Sequence, residues 1–255
     1  MVTAVYVLIV LLATTIGACA GIGGGIIIRP CMDMVGLDSL QVISFYSANA
    51  VFAMACLSSV KRLIKDRTFN YLLFILISVS SVIGGWCGNE ITRLLLCITQ
   101  EVLLRKAQAL ILCLMLITLC LYYLRTPSSL YIKNRLLIFF TGFSLGLVSS
   151  FLSIGGGPAN VALFGFLFGF PLKICVTYSL TTIFFAQGAQ LMSMALTEGY
   201  GAYPCEALMF IVPAALTGSL IGSCLYRKMK DGQIRMLLVI SMLAVILINV
   251  FNMLR

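Results

Sequence analysis

The sequence predicts an all-α, polytopic integral membrane protein made of two inverted-topology repeats, with helices broken at a recurring triple-glycine motif. Three observations predict it: an apolar composition, a repeat at a fixed offset, and the distribution of Lys and Arg among the loops. Of 255 residues, 61% are hydrophobic and 10% charged, and the mean hydropathy is +1.10. Soluble domains carry about a quarter charged residues, so a membrane interior is the solvent this chain suits.

A hydrocarbon core of about 30 Å needs roughly 20 apolar residues per helical crossing. The first such run is 2–20. Within it Ala18-Cys19-Ala20 has the form of a signal-peptidase site, and Ile16-Gly17-Ala18-Cys19 that of a lipoprotein box. No Lys or Arg precedes the run, as a signal peptide requires, so a retained transmembrane helix is expected. A short apolar stretch follows at 25–37, then full-length segments at 39–60, 69–89 and 104–124. Beyond the polar stretch Arg125 to Arg135 come a full segment at 136–153, a short one at 157–170, and full segments at 172–195, 205–226 and 236–254. The two short stretches are half to two thirds of a span, which predicts broken or re-entrant helices. Loops are short, and no soluble domain is left to carry an enzyme active site.

Ile22-Gly23-Gly24-Gly25 recurs as Ile154-Gly155-Gly156-Gly157, and Tyr46-Ser47 as Tyr178-Ser179, both at an offset of 132. Gly84-x-x-x-Gly88 recurs as Gly218-x-x-x-Gly222 at an offset of 134. The repeats are therefore 1–124 and 134–255.

Cytoplasmic loops carry an excess of Lys and Arg. If the short stretches were not separate legs, the halves would be parallel and the basic residues would divide eight against nine. With each short stretch as its own leg the halves are inverted. One side then collects Lys61, Arg62, Lys65, Arg67, Arg125, Lys133, Arg135, Lys173, Arg227, Lys228, Lys230 and Arg235, and the other keeps Arg29, Arg93, Arg105, Lys106 and Arg255. Twelve against five selects the inverted arrangement, with the basic side cytoplasmic and both termini outside. The net charge of +9 is thus a topology signal and not a nucleic-acid footprint.

Three successive glycines cost up to about 1 kcal/mol each in a helix relative to Ala, so they mark intended breaks. The short helix after each break starts with N–H groups that lack helical partners and with the positive end of its dipole, equivalent to about +0.5 charge. Transporters with inverted repeats bring two such breaks together near the midplane, which makes a ready anion site. The candidate substrate-binding residues are Gly23, Gly24 and Gly25 with Gly155, Gly156 and Gly157. Beside them stand Ser47 and Asn49, which align with Ser179 and Thr181, and Asn160 after the second glycine run. Ser and Thr in membrane helices also bond to their own or neighbouring backbone, and that reading stays open for them. Gln187 and Gln190 share a helix with Ser179, and their direction is open. The Gly84 and Gly218 pairs suit helix packing.

Gly21 to Gly25, Pro30, Tyr46-Ser47, a basic loop and Gly84-x-x-x-Gly88 resemble the first repeat of the sulfite exporter TauE/SafE family of membrane permeases. The stretch from Ser153-Ile154-Gly155-Gly156-Gly157 through Gly222 is similar to its second repeat. The resemblance implies transport of small sulfur-containing anions, such as sulfite, thiosulfate or organosulfonates, across the cytoplasmic membrane without a cofactor. Two departures stand out: Arg29 precedes Pro30 in the first half, and Pro158 directly follows the glycines in the second.

Two rival functions have sequence features of their own. Ten cysteines and twelve methionines suggest a soft-metal carrier, yet there is no histidine and no Cys-x-x-Cys pair, and the cysteines are scattered singly. No metal ligand set is therefore expected. A membrane-embedded enzyme or a non-transporting assembly factor is the other rival. Catalysis in the bilayer would need an intramembrane acid, base or metal cluster, whereas Asp33, Asp38, Glu90, Glu198 and Glu206 fall at segment ends.

Overall fold

A computed structural model describes residues 2–63, 71–124, 129–132, 134–197, 199, 201 and 203–254. Lys65, Arg67, Arg125, Lys133 and Arg255 of the topology count, and the segment-end Glu198, lie outside the described residues. The described chain contains α1 (Val2–Ala20), α2 (Gly25–Val35), α3 (Leu40–Leu63), α4 (Tyr71–Ile98) and α5 (Glu101–Leu124) in its first half. The second half holds α6 (Arg135–Phe151), α7 (Gly157–Phe168), α8 (Leu172–Thr197), α9 (Leu208–Lys228) and α10 (Asp231–Leu254). Each apolar segment expected from the sequence corresponds to one helix.

The bounds differ most at α4, which runs on from the expected end near 89 to Ile98. Polar residues do not stop it, because they are satisfied in place: Arg93 pairs with Glu90 at 2.5 Å one turn back, and Ser193 donates to Glu90 at 2.9 Å. Among the described residues six helices, α1, α3, α4, α5, α9 and α10, are long and apolar enough to cross a membrane. α6 is one residue short of that length at 17. α8 has 26 residues but includes buried Thr177, Ser179, Thr181, Thr182, Gln187, Gln190 and Ser193. It tolerates them because α3, α4, α6 and α7 all pack on it, so lipid does not meet those side chains.

The packing repeats itself when the halves are exchanged. α1 packs on α9 as α6 does on α4, α3 on α9 as α8 on α4, and α2 on α10 as α7 on α5. α3 also pairs with its own counterpart α8, and α5 with α10. The two central helices run antiparallel: the start of α3 (Leu40, Gln41, Ser44) lies with Met194 near the end of α8, and its end (Lys61, Arg62) lies with Lys173 and Ile174 at the start of α8.

Glycine permits the tightest of these contacts. A Cβ on Gly84 or Gly88 would overlap the carbonyls of Phe143 and Leu147 on α6, and one on Gly218 or Gly222 would overlap Thr14 and Thr15 on α1. Backbones approach this closely only where side chains are absent, the small-residue packing common between membrane helices.

Candidate functional site

Both triple-glycine stretches are breaks, built alike. α1 ends at Ala20, and Gly21, Gly23 and Gly24 take φ of 74°, 80° and 69°, a left-handed path that turns the chain back on itself. α2 then starts with Gly24 as its N-cap, contains Pro30, and ends on a left-handed Gly36. In the second half Gly155 and Gly156 have φ of 74° and 65°, Gly156 caps α7, Pro158 occupies its first turn, and Gly169 ends it in the left-handed region. At 1.5 Å per residue the 11 residues of α2 and the 12 of α7 extend only about 16–18 Å, half of a bilayer core.

The two breaks are in contact. A Cβ on Gly23 would stand 3.6 Å from the Gly155 carbonyl oxygen, and one on Gly25 would stand 2.8 Å from the carbonyl of Ile154. Gly157 lies against Ile22 so closely that any side chain there would overlap its backbone. Val51 of α3 and Ile183 of α8, which correspond under the offset of 132, flank the crossing from either side. The starts of α2 and α7 therefore meet in the interior, and no side chain caps either one.

The opposite helix ends at the crossing, the C-termini of α1 and α6, are covered. Arg62 donates to the Ala18 carbonyl of α1 and lies over the Tyr226 ring at 3.8 Å from its centroid. Arg29 donates to the Leu152 carbonyl at the end of α6 and to Gln108 Oε1, and Gln108 Nε2 donates to the Phe151 carbonyl at 2.8 Å. Arg29 is thus buried inside the protein and not in a loop, 3.8 Å from Asp33, which Arg105 also reaches at 2.8 Å. Its charge is taken up by these partners.

The remaining expected residues divide into three groups. Ser47 Oγ donates to the Ser153 carbonyl at 3.2 Å, and Ser179 Oγ donates to the Gly21 carbonyl at 2.7 Å. The two accepting residues are themselves equivalent at the offset of 132, so each serine ties down the other half's break. Asn49 and Thr181 bond within their own helices, to the carbonyls of Phe45 and Thr177 at 2.9 and 3.0 Å. Asn160 is different: it is 1% exposed, and neither end of its amide has a hydrogen-bond partner. Its Oδ1 is 3.1 Å from where a Cβ on Gly156 would be.

Asn160 has company whose direction the sequence left open. Gln187 Nε2 donates to Ser149 Oγ at 3.4 Å and Gln190 Nε2 to Ser153 Oγ at 3.3 Å, while both Oε1 atoms and the buried Ser150 hydroxyl lack a partner. Buried polar groups are normally satisfied, and Asn160 and Gln187, which meet Gly156 directly and through Ser149, depart from that rule together. The first half has no amide at the equivalent positions: Ile28, Ala55 and Ser58 stand where Asn160, Gln187 and Gln190 do. Among the described residues no group of three or more Cys, Asp and Glu side chains converges as a metal ligand set would.

Membrane-length helices around two interrupted ones that meet at their N-terminal ends define an all-α, multi-pass membrane protein. The sequence pattern of the family described as Sulfite exporter TauE/SafE matches residues 6–248, and the chain belongs to that family. It is 24% identical over 265 residues to the probable membrane transporter protein YunE of Bacillus subtilis (strain 168), with 94% of each chain covered. No solved structure matches. The chain is accordingly a multi-pass membrane transporter of the cell membrane.

Proposed function

We propose that this transporter is a permease for small anions, sulfur oxyanions such as sulfite, thiosulfate or organosulfonates, which it carries without cofactor or catalysis. The observation that carries the reading is the meeting, at the Gly23–Gly155 crossing, of two helix N-termini that no side chain caps. Backbone N–H groups and dipole ends attract anions there, and the unpaired Nδ2 of Asn160 adds a further donor. The family's own description, sulfite exporter, favours a sulfur substrate.

Alternating access follows from treating 1–124 and 134–255 as inverted repeats. The antiparallel course of α3 and α8 and the pairings preserved on exchange of the halves support that division. So do two crevices in equivalent positions but of unequal size. Lys61, Arg62, Lys173, Ser223 and Tyr226 line one of about 230 Å³ at the basic end. Its counterpart, lined by Gln41, Asn89, Thr92, Met194 and Ser153, has about 20 Å³. Opening one while closing the other would expose the crossing to each side in turn.

The test is uptake by purified protein in liposomes of labelled sulfite, thiosulfate, a sulfonate and sulfate, with copper ions alongside. Saturable flux of at least one sulfur oxyanion is expected. Saturable copper flux with none of these anions would replace the proposal with soft-metal transport.

A further inference from the structure

Taking the crossing as the transport site, as proposed above, we infer that it accepts anions bearing a single negative charge and rejects dianions, holding them by the amides of Asn160, Gln187 and Gln190 on the second half alone. The charges around the crossing lead to this. Two helix N-termini, each equivalent to about +0.5, together offer roughly one positive charge. The negative ends of α1 and α6, which would otherwise cancel them, are covered by Arg62 on Ala18 and Arg29 on Leu152. The sum stays near one charge, because Arg62 exceeds the α1 end by about half a charge while Arg29, paired with Asp33, leaves about half a charge of the α6 end uncovered.

The side chains at the second break are neutral: Asn160 and Ser149 stand at Gly156, and Gln187 and Gln190 reach Ser149 and Ser153. Asn160, Gln187 and Gln190 are each at most 1% exposed and each has at least one atom without a partner. Asn160 Nδ2 has no other partner and can donate to an oxyanion, and Gln187 and Gln190 donate to a guest when their amides turn from the Ser149 and Ser153 hydroxyls. They add hydrogen bonds but no charge. The cost of moving an ion out of water rises with the square of its charge, so a dianion costs about four times as much as a monoanion and finds the same single compensating charge. Hydrogensulfite and sulfonates meet the condition, whereas sulfate, thiosulfate and fully deprotonated sulfite do not, which leaves only the singly charged members of the anions proposed above.

The experiment compares methanesulfonate, whose single charge is independent of pH near neutrality, with sulfate and with sulfite in proteoliposomes. Methanesulfonate flux should be flat with pH. Sulfite flux at constant total sulfite should fall as pH rises through the loss of the hydrogensulfite proton, and sulfate flux should not exceed leakage. Sulfate carried at a rate comparable to methanesulfonate, or sulfite flux indifferent to pH, overturns the inference and leaves the anion permease standing. If methanesulfonate is inert while deprotonated sulfite or sulfate moves, the inference is likewise wrong. If no sulfur anion moves, the permease reading itself fails and this inference with it.

Placement on the second half is tested by Asn160→Leu and Gln187→Met. Each should lower methanesulfonate flux about tenfold or more, the effect of removing a hydrogen bond to a charged guest. In parallel, methanesulfonate should raise the melting temperature of the wild-type protein and sulfate should not. The variants should still melt cooperatively but lose that shift. A variant that retains both the shift and the flux would remove the amides from the site.

Discussion

Phe52 on α3 and Phe184 on α8, residues that correspond at the offset of 132, stack on each other with ring centroids 4.9 Å apart and planes inclined by 17°. If the halves are inverted repeats as proposed, a pair of counterparts that meet each other stands close to the axis relating them. Val51 and Ile183, one position earlier, flank the glycine crossing. An aromatic pair of this kind contributes about 0.5–1.5 kcal/mol beyond its buried area. A double-mutant cycle with Phe52→Leu and Phe184→Leu, read by unfolding in detergent, should give a coupling of that size, and additive losses would show that the rings act independently.

Glycine at the two caps is required by backbone as well as by space. Gly24 has φ 69° with the Ala13 carbonyl oxygen 3.1 Å from a would-be Cβ, and Gly156 has φ 65° with Asn160 Oδ1 and Ser149 Cβ both 3.1 Å away. Gly24→Leu or Gly156→Leu should reduce anion flux to the leak level while the protein still inserts in the membrane. Wild-type flux in either variant would retire the crossing as the transport site.

Ser47 and Ser179 act as ties between halves. Ser47→Ala and Ser179→Ala each strip a buried carbonyl, that of Ser153 or of Gly21, of its hydroxyl donor. A buried acceptor left without its partner costs about 1–3 kcal/mol. Thermal melts should show losses of that size, similar for the two variants, and accompanied by smaller losses of flux than the glycine variants show. A variant with unaltered stability and abolished flux would instead make the hydroxyl a direct ligand.

Arg29 is a structural cation. Arg29→Met would uncover the Leu152 carbonyl and Gln108 and leave Asp33 to Arg105 alone. Removing one member of a buried ion pair costs about 3–5 kcal/mol. Yield of folded protein should drop sharply, and Arg29→Met combined with Asp33→Asn should recover part of it. No recovery in the double variant would mean that the carbonyl contact, not the ion pair, carries the effect.

Membrane topology can be read directly. In a background without the native cysteines, Lys61→Cys and Lys173→Cys should react with an impermeant thiol reagent applied from the cytoplasm. Lys106→Cys should react with it from outside only. Labelling of all three from one face would reverse the inverted arrangement.

The glycine breaks were legible in the sequence because recurrence at a constant offset is hard to produce by packing alone, and the structure has a helix interruption at each. The service of Ser47 and Ser179 was not legible. Their alignment is visible in the chain, but whether each hydroxyl faces a guest or a carbonyl depends on where the other half's break comes to rest. Gln187 and Gln190 were ambiguous for a related reason. α8 carries polar residues all round its surface and is enclosed by four other helices, so periodicity singles out no face. Arg29 could be suspected as intramembrane from its place beside Pro30, but its partners come from α5 and α6, distant in sequence.

By itself the sequence determined the solvent, the ten segments and the two places where helices stop, because lipid requires uninterrupted apolar runs with internally paired backbone and only glycine tolerates the reversals between them. Tertiary structure alone decided that the two breaks touch, that two arginines neutralise the helix ends pointing the wrong way, and that one half supplies the unpaired amides. Those outcomes depend on distances between residues more than a hundred positions apart, which pattern along a chain does not encode.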